Sequence, residues 1–300
     1  MPARRRNFLM LGPDEGWHAR QLKDAAESAG HALQVASYES LAARHVDSSP
    51  VLTSEAGSLT DFDAVLTRTM PRGTLEQITF RLAVLHQLEQ QGVPLINPPR
   101  ALEQAIDKFA ALATLADLGL PTPPTQLVQS RDQAMMAFAD LGGDCVVKPL
   151  FGGEGRGVMR VTDRELAWYA FSSLEQLGAV IQLQKFIPPG GRDTRLLVVG
   201  ENVYGIRREN RSSFRSNVAA GATSSEITLT PELIETAKQI TRRFGLHFGS
   251  VDIIDNDQGP DLYLEVNAVP GWRGAQRVAG ESIADRIIET LDQLCEARDV

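Results

Sequence analysis

The stretch LYLEVNAVPGW, residues 262–272, sets the tightest limit on how this chain folds. Its apolar, β-branched run reads as a buried strand, yet Glu265 and Asn267 interrupt it two positions apart before Pro270 and Gly271 stop it. Side chains two apart in a strand share a face. Glu265 and Asn267 are therefore expected to point together, with Leu262, Leu264 and Val266 left to the core. A buried carboxylate is costly unless something positive meets it. Just upstream, GSVDIIDNDQGP supplies a second apolar strand containing Asp252, followed by the turn formers Asn256, Asp257, Gly259 and Pro260. If the two strands pair as a hairpin about that turn, Asp252 falls opposite Glu265 on the same face, and a slip of one residue parts them. Asp252, Glu265 and Asn267 then form an oxygen-only donor set, which suits Mg²⁺ or Mn²⁺ and argues against zinc. A solvated hairpin with an acidic edge accounts for the same residues equally well.

The 300 residues exceed one average domain and lead us to expect two or three compact units. A net charge of −8 and a pI near 5.2 leave no global basic field to draw nucleic acid. Arg4–Arg6 precede NFLMLG, an apolar stretch too short for a secretory signal, so a first strand with a basic leader is expected. No segment has the length of a membrane span. Cys145 and Cys295 stand far apart without metal spacing, which fits a reducing cytoplasm. His18, His31, His45, His86 and His247 show no ligand spacing and read as structural or surface residues.

Residues 7–100 alternate apolar strands (NFLMLG, HALQVASY, DAVLTR, VPLINP) with helical patterns near 16–29 and 73–91, which predicts a small parallel α/β domain. Its first turn, LGPDEG, lacks the G-x-G-x-x-G spacing of a dinucleotide site. NPPRAL marks a boundary, since its prolines continue neither strand nor helix. A helix over 102–118 then leads to a second Pro-rich connector, LPTPPTQ. Strands near 126–129, 144–149, 157–161 and 179–186, with helices at 131–141 and 163–177, make up the middle of the chain. Strands at 194–199, 202–206, 248–254 and 261–267, with helices at 231–244 and 282–297, make up the rest.

CVVKPLFGGEGRGV places Lys148 in a valine-rich strand, where an unpaired ammonium is costly. Gly152, Gly153, Gly155 and Gly157 follow, and glycines let a backbone approach a ligand and aim successive N–H groups at an anion. The lysine precedes the loop, so this is not G-x-x-x-x-G-K-[ST]. A glycine hairpin closing over phosphates, with the lysine supplied from the adjoining strand, fits the order. Glycine hairpins that hold no ligand fit it too.

The order of the pieces says more than any one of them. NPPRALEQAIDK with Lys108, GGEGRGV, LQKFIPP, GGRDTRLLVVG, FRSNVAAGA, SVDIID and LEVNAVPG form a series that resembles the ATP-grasp superfamily, and within it the RimK-type alpha-L-glutamate ligases. The resemblance covers about residues 95–295 closely and the N-terminal domain more loosely. It implies an ATP-grasp fold, α/β with α+β subdomains, divided as an N-terminal small parallel α/β domain over 1–100, a central or lid subdomain over 101–190, and a C-terminal subdomain with the metal site over 191–300. It also implies an ATP-dependent carboxylate–amine ligase that works through an acylphosphate, with ATP and two Mg²⁺ (or Mn²⁺) ions as cofactors and glutamate as the amine.

Position by position, the resemblance assigns ATP to Lys108, Lys148, the loop glycines Gly152, Gly153, Gly155 and Gly157, and a hinge of Gln184, Lys185, Phe186 and Ile187 that contacts adenine through its main chain. Lys185 stands where many relatives carry Glu. Asp193 is assigned to the ribose. Arg195, Arg207, Arg215, Ser216 and Asn217 are assigned to the phosphates and the acyl group, with Arg207, Arg215 and Asn217 as the catalytic set. Asp252, Glu265 and Asn267 take the metal. Glu154 is an odd acid beside a polyanion, offset by Arg156, while Arg208 and Arg211 read as solvated.

Arg68 ends the strand DAVLTR, Arg72 follows in TRTMPRG, and Arg273 lies in PGWRG; these are the candidates for holding an acidic acceptor. PGWRG departs from the small-residue version of the protein-modifying relatives. A flat Trp272 beside arginine suits a pterin or other small-molecule acceptor, and simple packing also accounts for it. The family includes enzymes that modify a protein C-terminus or a carrier protein, so such an acceptor is the alternative. A non-catalytic nucleotide-binding regulatory module is a rival that predicts loss of a metal ligand or phosphate lysine, and all are present. A cytoplasmic homo-oligomer without membrane or nucleic-acid partners is expected.

Overall fold

The computed structural model describes residues 4–46, 49–152, 155–216 and 221–299. Its N-terminal unit runs β1 (Asn7–Leu11), α1 (Trp17–Ser28), β2 (Ala32–Ala36), β3 (Ala42–Val46), β4 (Ser49–Ser54), β5 (Gly57–Ser58), β6 (Ala64–Thr67), α2 (Leu75–Gln90) and β7 (Leu95–Ile96). A parallel sheet in the order β2-β1-β6-β7 is present as expected. β1 is apolar at nearly every position because both faces are covered, Phe8 and Met10 entering one core and Leu9 and Leu11 another. The β3-β4-β5 meander was not expected, since its strands are short and polar.

The NPPRAL boundary is the start of a helix, with Pro99 at its first position. Instead of one helix over 102–118 there are two, α3 (Pro99–Ile106) and α4 (Lys108–Asp117). The break falls at Asp107, whose carboxylate accepts the N–H groups of Phe109 and Ala110 and caps α4. Lys108 is thereby set in the first turn of α4.

The central unit comprises β8 (Thr125–Val128), α5 (Arg131–Asp140), β9 (Cys145–Pro149), β10 (Met159–Val161), α6 (Arg164–Gln176) and β11 (Ile181–Lys185). Its antiparallel sheet, β10-β9-β11-β8, packs on α5 and α6 through Cys145, Val147, Ile181 and Leu183. The C-terminal unit comprises β12 (Arg192–Val199), β13 (Asn202–Glu209), β14 (Thr223–Glu226), α7 (Pro231–Phe244), β15 (Phe248–Ile254), β16 (Leu262–Asn267), α8 (Arg273–Gln276) and α9 (Ile283–Asp299). Its strands lie antiparallel in the order β14-β13-β12-β15-β16.

The register expected of the last hairpin is present: Asp252 pairs with Glu265 and Ser250 with Asn267. A bulge at Asp252/Ile253 sets two residues of β16 against one of β15. Beyond it the faces exchange. Tyr263 joins Val266 against the core, whereas Leu264 lines the cleft beside Glu265 instead of entering the core as expected. The chain's last helix returns to its start, so Ile287, Leu291 and Cys295 share one apolar cluster with Phe8, Met10 and Leu66. Among the described residues no helix is long and apolar enough to cross a membrane.

Candidate active site

A cleft opens between the central and C-terminal sheets, lined by Lys108 and Lys148 on one side and Asp252, Leu264 and Glu265 on the other. β9 carries Lys148 inward beside β11, where its Nζ donates to Gln184 Oε1 at 2.7 Å; Gln184 Nε2 in turn donates to Thr125 Oγ1 at 2.9 Å. Burial pushes the Lys148 ammonium down to about 8, with Lys108 adding to the effect and Glu265 and Asp252 opposing it. Lys108 Nζ reaches from α4 to the carbonyl oxygens of Leu150 and Gly152, at 2.9 and 3.0 Å. Its ammonium is also lowered by burial, against the attraction of Glu265 and Asp107. Two cations with weakened hold on their protons thus face the acids of the hairpin. Gly155 and Gly157 have φ of 69° and 72°, a left-handed backbone that favours glycine and turns the loop at the cleft edge.

Below this lies a buried ionic network. Arg195 grips both oxygens of Asp252 at 2.7 Å, and Arg208 adds a third bond at 2.8 Å. Arg208 also holds both oxygens of Asp193, at 2.6 and 2.5 Å, and Ser216 Oγ donates to Asp193. Burial alone would raise the Asp252 carboxyl, but Arg195 and Arg208 hold it well below the usual carboxylate range. For Asp193 burial wins and its carboxyl is raised, although Arg208 opposes the shift. Glu265 is different: among the described residues it has no ion pair, and it accepts only the Asn267 amide, at 3.3 Å. With its N–H group so used, Asn267 keeps its carbonyl oxygen for a ligand.

Arg207, expected to be catalytic, is not among the residues lining the cleft; it pairs with Asp255, which is, and donates to Thr194 Oγ1 at 3.1 Å. Arg215 donates to the Val158 carbonyl and lies over the Phe214 ring at 5.3 Å. The hinge is braced from within. The N–H groups of Lys185 and Phe186 go to the carbonyls of Pro124 and Asp144, and Arg160 sits 3.4 Å from the Phe186 ring centroid.

This geometry agrees with what the chain is similar to. Residues 8–102 match the RimK PreATP-grasp domain, and residues 105–291 match the RimK-like ATP-grasp domain. The chain belongs to the RimK-like ATP-grasp family of ligases. It is 31% identical to the tetrahydromethanopterin:alpha-L-glutamate ligase of Methanosarcina acetivorans, over 95% of this chain and 98% of that one. It is 32% identical to the probable alpha-L-glutamate ligase of Thioalkalivibrio sulfidiphilus, over 92% of each. The fold is that of the ATP-grasp ligase PsnB, solved with minimal precursor, Mg and ADP, at a TM-score of 0.71, 21% identity, and coverage of 96% of this chain and 98% of that one.

Several residues of this ATP-grasp ligase lie elsewhere than their sequence suggested. Arg208, expected in solvent, is 3% exposed and forms the centre of the ionic network. Asp193, expected at a ribose, does line the cleft, with both its oxygens bonded by Arg208 and a further bond from Ser216. Arg68, expected as a free fork in the cleft, is 7% exposed; its Nη2 donates to the Pro270 carbonyl at 3.0 Å, and its Cζ lies 4.9 Å from the Trp272 ring. Trp272 is fully buried among Trp17, His18, Phe248 and the Arg68 guanidinium, so it packs and leaves no face for an acceptor. Arg72 and Arg273 are exposed. Gly153, Glu154 and Asn217 lie outside the described residues. The sequence assigns the hinge by its main chain and leaves out the Gln184 side chain, for which the alternating polar positions of IQLQK are the available signal.

Proposed function

We propose that this ligase activates an acceptor carboxylate with ATP and joins it to the α-amine of L-glutamate. The observation that carries the reading is the convergence of Lys108 and Lys148 with Asp252 and Glu265 at one cleft, with the Asn267 amide bonded to Glu265, in a chain whose relatives are named alpha-L-glutamate ligases. The donors at the hairpin are oxygens and among the described residues no His or Cys lines the cleft, which fits Mg²⁺ or Mn²⁺, proposed as two ions. Glu265 and Asn267 would hold the metal directly, and Asp252 contributes charge from beneath. When bound, the metal supplies charge neutralisation to the phosphates.

The remaining chemistry belongs to the chain's own residues. An acceptor carboxylate attacks the γ-phosphorus and ADP leaves; Lys108 and Lys148 offset the repulsion between the anions. The amine then attacks the acyl carbon, giving a tetrahedral oxyanion that Arg207 and Arg215 are suited to stabilise, and phosphate leaves with formation of the amide. The glycine loop keeps water from the acylphosphate. Arg72 and Arg273 are the exposed cations proposed for the acceptor, and the N-terminal domain is proposed to select it. The buried thiols of Cys145 and Cys295 suit a reducing cytoplasm, and the exposed Leu166, Trp168 and Tyr169 on α6 suit a homo-oligomer.

A small-molecule acceptor is the first choice, in line with the tetrahydromethanopterin ligase among the relatives. A protein or carrier-protein C-terminus is the second, favoured by the exposed Ile106, Phe109 and Phe151 beside Lys108 and by the burial of Trp272. The test is ADP release with ATP and Mg²⁺ for each pairing of an amino acid with a small dicarboxylate or an acidic peptide, with product mass read in parallel. Release that needs L-glutamate supports the reading, and release that needs another amino acid and ignores glutamate would refute it.

A further inference from the structure

Asn97 lies just past β7, fully buried, and its side-chain amide bonds entirely across the domain boundary. Nδ2 donates to the main-chain carbonyls of Phe248 at 2.5 Å and Ala268 at 2.6 Å. Oδ1 accepts the N–H groups of His247 at 2.8 Å and Phe248 at 3.0 Å. A primary amide offers two donors and two lone pairs, so this one is filled. Its own backbone is fixed as well: the Asn97 N–H donates to Thr67 Oγ1 at 2.9 Å, and the Thr67 hydroxyl donates to Ile96 O and Asn97 O.

The contacts fall at a particular place. Phe248 opens the strand that bears Asp252, and Ala268 is the residue after Asn267. The ladder between the two strands ends at the Ser250–Asn267 pair, so beyond it the Asn97 amide takes over as the bridge. Close by, Arg68 donates to the Pro270 carbonyl at 3.0 Å. The ends of β6 and β7 therefore grip the loop that follows Asn267 from two sides. The shared apolar core is non-directional, whereas four hydrogen bonds from one amide fix both separation and orientation.

We infer that Asn97 is a positioning residue: through it the N-terminal domain holds the β15–β16 hairpin so that Glu265 and Asn267 stand ready for the metal. The inference rests on the metal reading of that hairpin. It goes beyond packing because the amide bonds main-chain groups at the start of β15 and at Ala268, directly after Asn267, and residues that orient metal ligands from behind typically change affinity 10–100-fold when replaced.

The test is Mn²⁺ binding to the ADP-loaded protein, read by electron paramagnetic resonance of the free ion, beside ADP affinity without metal and a melting curve. Asn97→Ser should weaken Mn²⁺ binding about 10–100-fold while metal-free ADP affinity stays within roughly twofold. Thr67→Val should act in the same direction, and Thr67→Ser, which keeps the hydroxyl, should match the unsubstituted protein. Unchanged Mn²⁺ affinity in folded Asn97→Ser or Thr67→Val overturns the inference, as does an equal loss of metal-free ADP binding. Should Asn97→Ser not fold, Thr67→Val decides. Glu265→Gln separates the two levels: if it too binds Mn²⁺ normally, the metal reading is wrong and the positioning role falls with it.

Discussion

Asp252 and Glu265 face each other across the β15–β16 hairpin, but their surroundings assign them different work. Both oxygens of Asp252 are held by Arg195 and Arg208, whereas Glu265 meets only the Asn267 amide among the described residues. One acid anchors the floor of the cleft and the other is available to a ligand.

Glu265→Gln keeps the shape and removes the charge. We expect Mg²⁺-dependent ADP release to fall by roughly 10²–10³-fold in kcat, with melting temperature little changed. Near-normal turnover would remove Glu265 from the metal site.

Arg208→Met leaves Asp193 and Asp252 buried with one cation fewer. Breaking a buried pair in this way costs about 3–5 kcal/mol, to be read from chemical denaturation. The sign of the pH dependence follows from Asp252, whose folded carboxyl is depressed. Its stabilising contribution is present above the unfolded value of about 3.9 and disappears as pH falls below that through the folded value. In Arg208→Met this contribution shrinks and total stability is lower, so the acid-unfolding midpoint should move to higher pH. Identical acid unfolding midpoints would contradict this.

Lys148 loses its charge as pH rises through about 8 in the free protein. ATP affinity should therefore decline between about pH 7 and pH 9, unless bound phosphate restores the proton, in which case binding takes up a proton measurable by calorimetry in buffers of different ionisation heat. Lys148→Met should fold normally, bind ATP more weakly, and show neither effect.

Arg273→Gln and Arg72→Gln should raise the KM for the acceptor several-fold, since an exposed charge contact is worth up to about 1 kcal/mol, and leave that for ATP nearly untouched. Arg68→Lys should lower the melting temperature as well, because lysine does not reproduce the planar guanidinium that bonds Pro270 and stacks on Trp272. A shifted KM for ATP with an unchanged acceptor KM would refute the division of tasks between domains.

What could be read from the sequence follows from how local each cue is. The Asp252–Glu265 register was legible because a turn of Asn256, Asp257, Gly259 and Pro260 sets it between two apolar runs. The same logic was available for Arg208: the tight turn at Gly200–Glu201 pairs Val199 with Asn202 and, carried outward, Asp193 with Arg208. Two adjacent arginines read as surface, which masks the pairing. The bulge that turns Leu264 into the cleft depends on a mismatch between strands that neither strand reveals alone. Asn97 sat inside a proline cluster that reads as a connector, and its partners are about 150–170 residues away.

The shared core of the two chain ends gives the molecule the character of a clasped ring. Phe8 and Met10 meet Ile287 and Leu291 in one apolar cluster, and α9 lies on α1. A single cut in the Pro-rich connector at residues 121–124 would therefore yield two fragments that remain associated, and the pair is a natural candidate for reconstitution from separately expressed pieces.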